Sequence, residues 1–356
     1  MTQSSKRPAK TIFRFLFQVQ ESIQLGAKEK EIPKDFSRIT NNTVIILDEA
    51  SMIDLGSMAR IFRYLKPGTR ILLLGDDFQL PPISFGLVFH LLVRNKCLTS
   101  KLTRVFRQGS DNPIPTIGKQ IREGLEPILP HYEGISNGIQ FYKTNGELNV
   151  EDISKICDNL GGFDALESNL QIISATNKKV EAINSFMHDY YFTRYEKSKK
   201  RNPVIRGLLG NTFAIGDTVV FNKNNYQKNL YNGMIGYVSN TFLINKTLNV
   251  LQLTFDELAV EFKGQVEISD VSLAYSLTCH KLQGSQSRSV IIVLEDSNLV
   301  EPTWLYTAIT RATHQVVIVG SEYQYKKIFS RVPSYQNRTT GDMKIKSMED
   351  SKHGAT

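Results

Sequence analysis

Two short apolar segments, each followed by acidic residues, most strongly constrain the fold of this chain. The first is VIILDEASMID, residues 44 to 54, and the second is ILLLGDDFQLPPI, residues 71 to 83. Continuous β-branched and aliphatic runs are typical of parallel strands that are covered on both faces. Because the carboxyl ends of parallel strands meet at one edge of a sheet, the two segments predict an acidic site at that edge.

The first segment supplies two carboxylates with separate chemical roles. Asp48 and Glu49 directly follow the strand. Mg²⁺ is held by one or two carboxylates and several waters, which suits Asp48. The adjacent Glu49 could polarise an attacking water. The alternative is that both acids only cap the following helix, since acidic side chains are favoured at a helix N-terminus.

The second segment adds a glycine, further acids and an amide. Gly75 allows a tight exit from the strand, Asp76 follows it, and Gln79 could contact a γ-phosphate or orient water. Pro81 and Pro82 restrict the backbone of the loop that follows. Together the two segments indicate the layout of a nucleotide-hydrolysing motor.

These segments resemble motifs of superfamily 1 DNA helicases of the RecD-like group, which includes the helicase parts of conjugative relaxases. DEAS resembles the Walker B motif and GDDFQLPPI resembles motif III. The resemblance continues with RPAKTIFRFL (7–16, the close of motif Ia), LTRVFRQ (102–108, motif IV), LAYSLTCHKLQGSQ (273–286, motif V) and LYTAITRATHQVVIVG (305–320, motif VI). The motifs occur in the family's order over about residues 5 to 322.

The resemblance implies an enzyme that uses ATP and Mg²⁺ and moves along single-stranded DNA, usually 5′ to 3′. It implies that Asp48 is the metal ligand, and that Arg107 and Arg311 are arginine fingers. The implied catalytic residues are Asp48, Glu49, Gln79, Arg107 and Arg311; the nucleotide-binding residues are Gly75, Asp76, Gln283 and Gly284; the DNA-binding residues are Thr11, Phe13, Pro81, Thr176, Asn177, Thr278, His280 and Lys281.

Several of these assignments have a structural alternative. His280 could be a structural hydrogen-bonding residue, and each arginine could form a surface salt bridge. Gln283 is expected at the start of a helix, where free N–H groups favour anions. The basic cluster at residues 194–206 is expected to be solvated surface, with a nucleic-acid contact as the alternative. Trp304 is expected in the core rather than as a base-stacking platform.

One motif that this class of motor needs is missing from the sequence. GxxxxGK[ST] cradles nucleotide phosphates, and the 356 residues contain no such loop. The nearest candidate, Gly118-Lys119-Gln120, has Pro113 at the first glycine position, lacks the hydroxyl and lies in a predicted helix. We therefore expect an amino-terminally truncated helicase with negligible ATPase activity on its own. The alternative is a nucleotide-independent DNA-binding or assembly protein whose partner supplies the P-loop unit.

The predicted fold is α/β, with two RecA-like parallel-sheet domains, the first incomplete, and a small β-barrel inserted in the second. We predict the first domain over residues 1–123, a connector over 124–165, the second domain over 166–330 with the barrel at about 207–270, and a polar tail over 331–356 that is treated as disordered from about residue 336. Residues 18–40 are expected to form either a short duplex-splitting pin or a solvated loop.

Composition agrees with a DNA partner and an intracellular location. The net charge of +8 and a pI near 9.2 favour a polyanionic ligand. Cys97, Cys157 and Cys279 are too few and too scattered for a disulfide framework. The sequence contains no apolar run long enough to span a bilayer and no signal-peptide core, so we expect a cytoplasmic protein without a membrane partner. Repair, recombination, conjugation and phage replication all stay open as the process.

Overall fold

The computed structural model describes residues 9–26, 42–65, 67–103, 112–144, 150–195, 204–207, 212–225, 227–244, 248–255 and 258–338. The chain divides into two compact units. Unit 1 comprises Met1–Thr103 together with Ser334–Thr356, and unit 2 comprises Arg104–Pro333. Each unit contains a hydrophobic core of its own. None of the helices in the described ranges is long and apolar enough to cross a membrane.

Unit 1 is built on two parallel strands. The strands β1 (Val44–Leu47) and β2 (Arg70–Leu73) pair in register, with Val44 opposite Arg70. The helices are α1 (Ile12–Gly26), α2 (Leu55–Arg63) and α3 (Val88–Leu92), and a 3₁₀ turn spans Ala50–Met52. Asp54 caps α2, because its carboxylate accepts the Ser57 amide at 2.6 Å.

The two faces of this small sheet differ in burial. Side chains of Ile45, Leu47, Ile71 and Leu73 point into a core shared with α1, α2 and α3. The opposite face is apolar and exposed, with exposed fractions of 53% for Val44, 51% for Ile46, 47% for Leu72 and 37% for Leu74. Parallel sheets are normally covered on both faces. The incompleteness of the first domain stays a prediction.

Unit 2 contains a five-stranded, fully parallel sheet in the order β12-β4-β13-β14-β3. Its strands are β3 (Gly138–Lys143), β4 (Leu170–Ser174), β12 (Ser276–Thr278), β13 (Ser287–Val293) and β14 (Ala312–Gly320). Its helices are α4 (Ile114–Arg122), α5 (Val150–Asn159), α6 (Gly162–Ser168), α7 (Asn177–Tyr195), α9 (Pro302–Ile309) and α10 (Glu322–Phe329). Trp304 of α9 is only 1% exposed, which confirms that it is a core residue.

The segment between α7 and β12 forms a separate antiparallel sheet with its own core. Its strands, in the order β10-β9-β8-β7-β11, are β7 (Thr218–Phe221), β8 (Ile235–Ile244), β9 (Leu248–Phe255), β10 (Leu258–Lys263) and β11 (Val271–Leu273). A short helix α8 (Gly264–Ile268) precedes β11, and β5 (Ile205–Arg206) pairs with β6 (Thr212–Phe213). Among the described residues β10 and β11 do not pair with each other, so a closed barrel is not confirmed.

Three details of the predicted organisation differ from the structure. The helix expected to close the first domain is α4, which lies in unit 2 and packs against α9. The predicted connector contains β3, α5 and α6, and β3 is an edge strand of the parallel sheet. The predicted strand 271–276 is divided: β11 pairs with β7 of the antiparallel sheet, whereas β12 pairs with β4.

Two further predictions concern the ends of the described segments. Residues 18–26, the start of the expected pin or loop, continue α1, and residues 27–41 lie outside the described residues. A 3₁₀ turn spans Ser334–Asn337 at the start of the predicted tail, and residues beyond 338 lie outside the described residues.

Candidate functional site

The turns that follow β1 and β2 are joined by backbone hydrogen bonds. The Leu74 amide donates to the Leu47 carbonyl, and the Ala50 amide donates to the Leu74 carbonyl, both at 2.8 Å. A Cβ atom on Gly75 would lie 3.0 Å from the Ser51 nitrogen and 3.2 Å from the Ala50 nitrogen. Glycine is therefore needed because two backbones approach closely, and the acidic turns after the two strands lie together, as the sequence predicts.

Glu49 occupies an unusual backbone conformation at this edge. Its φ of 51° and ψ of 42° are left-handed, a region that costs free energy for a residue with a Cβ. The Glu49 amide donates to the Asp48 carboxylate at 3.0 Å. Neither carboxylate caps α2, since Asp54 does so, and Glu49 makes no side-chain cap on the 3₁₀ turn. The helix-capping alternative is therefore wrong.

Asp76, the first acidic residue of the motif III loop, stabilises the conformation of that loop. The carboxylate of Asp76 accepts the Phe78 amide at 3.0 Å, and its carbonyl accepts the Gln79 amide at 3.2 Å. Gln79 is 8% exposed, and Pro81 is buried. Asp76 thus has a structural role in shaping the loop. The predicted nucleotide contact of Gln79 and DNA contact of Pro81 stay predictions.

Asp48 is suited to bind magnesium, whereas the candidate phosphate-binding residues Gly118 and Lys119 are not suited to bind phosphates. The carboxylate of Asp48 lies at the sheet edge and is a hard oxygen ligand of the kind that Mg²⁺ prefers. The described residues contain no group of three or more His, Cys, Asp or Glu side chains that could hold a metal ion. Gly118 and Lys119 lie within α4, and Lys119 pairs with Glu123 at 3.8 Å. This lysine therefore does not form a P-loop, and the absence of a phosphate cradle from the chain stays a prediction.

Arg311 is buried within unit 2, with 2% of its surface exposed. Its Nε donates to the Thr307 carbonyl at 3.2 Å, and its Nη1 donates to the Ser285 carbonyl at 3.3 Å. These bonds tie the end of α9 to the motif V segment, so the surface salt-bridge alternative is wrong for Arg311. The role of an arginine finger stays a prediction. Arg107 lies outside the described residues.

The motif V loop consists of turns rather than the start of a helix. Residues 279–284 follow β12 as turns, and Gly284 has a φ of 81°. The predicted helix start at Gln283 is wrong, because a left-handed glycine directs the chain into β13. Lys281 is exposed and donates to the Asn222 amide oxygen at 3.1 Å. Thr278 and His280 are half-buried beside it.

Asn184 of α7 holds the strand that precedes this loop. Its amide nitrogen donates to the carbonyls of Leu273 at 3.0 Å and Ser276 at 3.1 Å, and its oxygen accepts the Ser276 amide at 2.7 Å. The Ser174 and Ser276 hydroxyls also lie 3.2 Å apart. The sequence analysis did not identify Asn184, because a single asparagine within α7 carries no distinguishing signal in the sequence.

A second buried network, around Asp217, was also not predicted. Asp217 is 3% exposed, and its carboxylate lies 2.9 Å from His188 Nδ1. It also accepts the Tyr275 hydroxyl and the Ala214 amide, each at 2.6 Å. The Thr212 hydroxyl lies 3.1 Å from His188 Nε2. The network connects α7, the antiparallel sheet and the residue that precedes β12.

The turn before α7 is held by a carboxylate from a distant part of the sequence. Glu295 accepts the amides of Ala175 and Thr176 at 2.8 Å and the Thr176 hydroxyl at 2.6 Å. The predicted DNA ligand Thr176 is therefore engaged within unit 2, whereas the adjacent Asn177 is exposed. Both DNA contacts stay predictions.

The motif Ia residues lie at the start of α1. The Thr11 hydroxyl oxygen accepts the Arg14 amide at 3.2 Å, which caps this helix. Phe13 is 60% exposed and available for contact with a ligand. An exposed aromatic ring is suited to stacking on a nucleic-acid base. The predicted DNA contacts of both residues stay predictions.

Comparisons with known proteins agree with the motifs. Residues 1–152 match the family model of an AAA domain, and residues 273–319 match the model of a UvrD-like helicase C-terminal domain. A solved structure of two coordinating Pif1 helicases at forked double-stranded DNA aligns with a TM-score of 0.50 at 18% identity, covering 90% of this chain and 80% of that chain. This structural likeness supports an α/β fold with RecA-like parallel-sheet domains.

Two proteins that are similar to this chain in sequence are named as a DNA helicase and as a subunit of the RecBCD enzyme. The ATP-dependent RecD2 DNA helicase of Deinococcus radiodurans is 28% identical over 282 residues, which are 78% of this chain and 36% of the relative. The RecBCD subunit RecD of Mycolicibacterium smegmatis is 25% identical over 304 residues, which are 81% of this chain and 52% of the relative. In sequence the chain is similar to RecD-like helicases of superfamily 1. It spans about half or less of the length of these two relatives.

Proposed function

We propose that this chain carries part of the motor of an ATP-dependent DNA helicase that moves along single-stranded DNA from 5′ to 3′. The strongest support is the acidic edge of unit 1, where the left-handed Glu49 and Asp48 follow β1 beside Gly75. Strain of this kind concentrates at functional sites. The names of the relatives, a RecD2 DNA helicase and RecD subunits, support the same activity.

The chemistry proposed for this edge is limited to what its side chains can do. Bound Mg²⁺ would neutralise developing negative charge on nucleotide phosphates. Asp48 would hold that ion, and Glu49 would take part in orienting the water. The two carboxylates are adjacent in sequence, and the left-handed backbone at Glu49 changes the direction of the chain between Asp48 and the 3₁₀ turn. We infer no phosphoryl-transfer step, because the 356 residues contain no GxxxxGK[ST] loop.

We further propose that these 356 residues alone do not hydrolyse ATP. Positioning and charge neutralisation supply most of the catalysis of phosphoryl transfer, and one arginine finger alone is worth about 10³ to 10⁵ in rate. Loss of the whole cradle should cost at least as much. The exposed apolar face of Val44, Ile46, Leu72 and Leu74 supports completion of unit 1 by further polypeptide. That polypeptide would carry the P-loop, either in the same chain or in a partner.

Single-stranded DNA is the proposed ligand of the exposed polar residues in motifs Ia and V. Lys281 and the net charge of +8 favour a phosphate backbone. A cytoplasmic location and a role in repair or recombination belong to the same proposal. The second candidate function is nucleotide-independent DNA binding or assembly. The same exposed sheet face favours it, because an apolar surface of this kind is suited to a protein partner.

DNA-stimulated ATP hydrolysis separates the two functions. The assay compares this chain, a version extended to include an in-frame GxxxxGK[ST] sequence or mixed with a partner that carries one, and a Glu49→Gln variant of each. We expect turnover only in the extended or mixed form and its loss with Glu49→Gln. Turnover by the short chain that is abolished by Glu49→Gln would refute the proposed need for an external cradle. Absence of turnover in every form, with DNA binding retained, would favour the second function.

A further inference from the structure

The segment Ser334–Arg338 returns to unit 1 after the chain has completed unit 2. It begins with a 3₁₀ turn over Ser334–Asn337, which starts five residues after the end of α10 at Phe329. Its last described residue, Arg338, donates from Nη1 to the Pro82 carbonyl at 2.6 Å and to the Ser84 carbonyl at 3.4 Å. The segment therefore contacts the motif III loop directly.

The motif III loop needs a hydrogen-bond donor from another part of the chain because two of its residues are prolines. Pro81 and Pro82 are buried and have no N–H group, so they contribute carbonyl acceptors but no backbone donors. A buried carbonyl without a partner is unfavourable, and a guanidinium is a strong and geometrically fixed donor. The far end of the loop is held separately, because the Leu55 amide donates to the Phe85 carbonyl at 3.0 Å. Arg338 thus holds the middle of a loop that is already fixed at one end.

A ring contact beside the loop adds a second attachment. Tyr335 lies on His90 of α3, with ring centroids 5.5 Å apart and an angle of 31° between the planes. His90 is 5% exposed, and within the described residues neither of its ring nitrogens has a hydrogen-bond partner. Burial lowers the pKa of His90, so the imidazole is neutral at physiological pH. A neutral, buried ring is a suitable surface for tyrosine.

Arg338 of this segment is also one of the charged residues around His90. The carboxylates of Asp77 and Asp76 act to raise the pKa of His90, and the guanidinium groups of Arg338 and Arg94 act to lower it. Arg338 therefore affects the protonation of His90 in addition to its contact with the loop. This effect gives the segment a signature that can be measured by spectroscopy.

The other end of the segment is attached within unit 2. The Arg331 guanidinium donates to the carbonyls of Ser297 and Val300 and lies 3.6 Å from the Asp296 carboxylate. Two arginines thus bracket the passage of the chain from unit 2 to unit 1. We call residues 331–338 the strap.

We propose that Arg338 is a positioning residue, which acts through the strap to fix the motif III loop that carries Gln79. The importance of the loop for coupling nucleotide to DNA rests on the proposed function. The fixing of the loop does not, because it follows from the contacts of Arg338 and Tyr335 alone.

Amide hydrogen exchange in the full chain tests the positioning role. The reporters are the Phe78 and Gln79 amides, which bond Asp76 within the loop, and the Leu74 amide at the sheet edge is the internal standard. In Arg338→Ala we expect about tenfold faster exchange of the loop amides with Leu74 unchanged, since a hydrogen bond from a charged group is worth about one such factor. Arg338→Lys should restore part of the protection, because lysine still supplies a donor.

Two controls separate positioning from general loosening. Arg60→Ala removes an exposed arginine of α2 in the same unit and should leave loop exchange unchanged. NMR titration of the His90 ring should show a higher pKa in Arg338→Ala than in the native chain, because a neighbouring positive charge is removed. Unchanged loop exchange together with an unchanged His90 titration would refute the proposal. Equal acceleration at Leu74 and at the loop would also refute it, since the effect would then be general unfolding.

Affinity for an oligothymidylate strand provides the functional comparison. Arg338→Ala should weaken binding several-fold and Arg60→Ala should not, with Arg338→Lys in between. Loop exchange that accelerates without any change in DNA affinity would support the fixing of the loop by Arg338, but would refute the importance of the loop position for DNA binding. If the native chain binds no single-stranded DNA, the proposed function fails, while the exchange result still decides whether Arg338 fixes the loop.

Discussion

Replacement of Asp217 should destabilise unit 2 more than most single changes to this chain. The carboxylate is buried and accepts hydrogen bonds from three residues, His188, Tyr275 and Ala214. Asp217→Ala leaves these three donors without their acceptor in the interior. Removal of one partner of a buried ion pair costs about 3 to 5 kcal/mol, so we expect a loss of about that size in the free energy of unfolding. Asp217→Asn keeps one acceptor oxygen, and we expect a loss of about 1 to 3 kcal/mol.

The pH dependence of the free energy of unfolding tests the Asp217 network more sharply than the size of the loss does. Burial acts to lower the pKa of His188, but the hydrogen bond and charge of Asp217 outweigh it, with a smaller contribution from Asp189, so the pKa is raised above 6.5. A histidine whose pKa is higher in the folded than in the unfolded state stabilises the folded protein. This contribution is fully present below the unfolded-state pKa and is lost as the pH rises through the folded-state pKa. In Asp217→Asn burial dominates, the pKa of His188 falls, and this contribution should reverse in sign.

The only tryptophan of the chain makes the assay specific for unit 2. Trp304 is 1% exposed within α9, so its fluorescence reports unfolding of that unit. Urea unfolding at several values between about pH 5.5 and 8.5, across the titration range of histidine, gives the slope for each variant. Glu181→Gln, at an exposed position of α7 two helical turns before His188, is the matched control and should keep the native slope. Parallel pH profiles for the native chain and Asp217→Asn would refute the reasoning.

Three further predictions concern the sheet edge, the exposed face and the DNA contact. Gly75→Ala should lower the melting temperature of unit 1 and cost about 1 to 3 kcal/mol, because the new methyl group meets backbone nitrogens at 3.0 and 3.2 Å; unchanged melting would contradict the close approach. Ile46→Lys should reduce aggregation in light scattering without loss of fold, whereas Leu47→Lys, on the buried face, should unfold unit 1. Lys281→Ala should reduce the slope of log affinity against log salt for single-stranded DNA by about 0.7, and Lys155→Ala, at an exposed lysine of α5, should not.

The sequence predicted the elements whose signal is local. The apolar runs at 44–47 and 170–174 are strands with the expected bounds to within about one residue, and α2 begins at Leu55 as expected. The acidic turns meet because the strands are parallel and adjacent. Even the requirement for Gly75 could be expected, although its physical cause is the close approach of two backbones rather than a turn.

Other features depend on contacts between residues far apart in the chain. Glu295 holds Thr176 across 119 positions, and Asp217 bonds Tyr275 across 58. Such pairs leave no periodic pattern in the sequence. The edge strand β3 was included in a connector because its residues, GIQFYK, alternate weakly and lie in a stretch that contains prolines and glycines. At Gln283 the helix prediction failed because Gly284 adopts a left-handed turn, which the sequence allows but does not require.

The return of the chain to unit 1 affects the order in which the protein can fold during synthesis. Residues up to 103 leave the ribosome first, but the arginine that holds the motif III loop follows only after residues 104–333 have been made. At typical translation rates this delay is about 10 to 50 s. Unit 2 has a continuous sequence and can fold within that interval, while the first unit waits with its apolar sheet face uncovered. Chaperone dependence should therefore be greater for unit 1 than for unit 2.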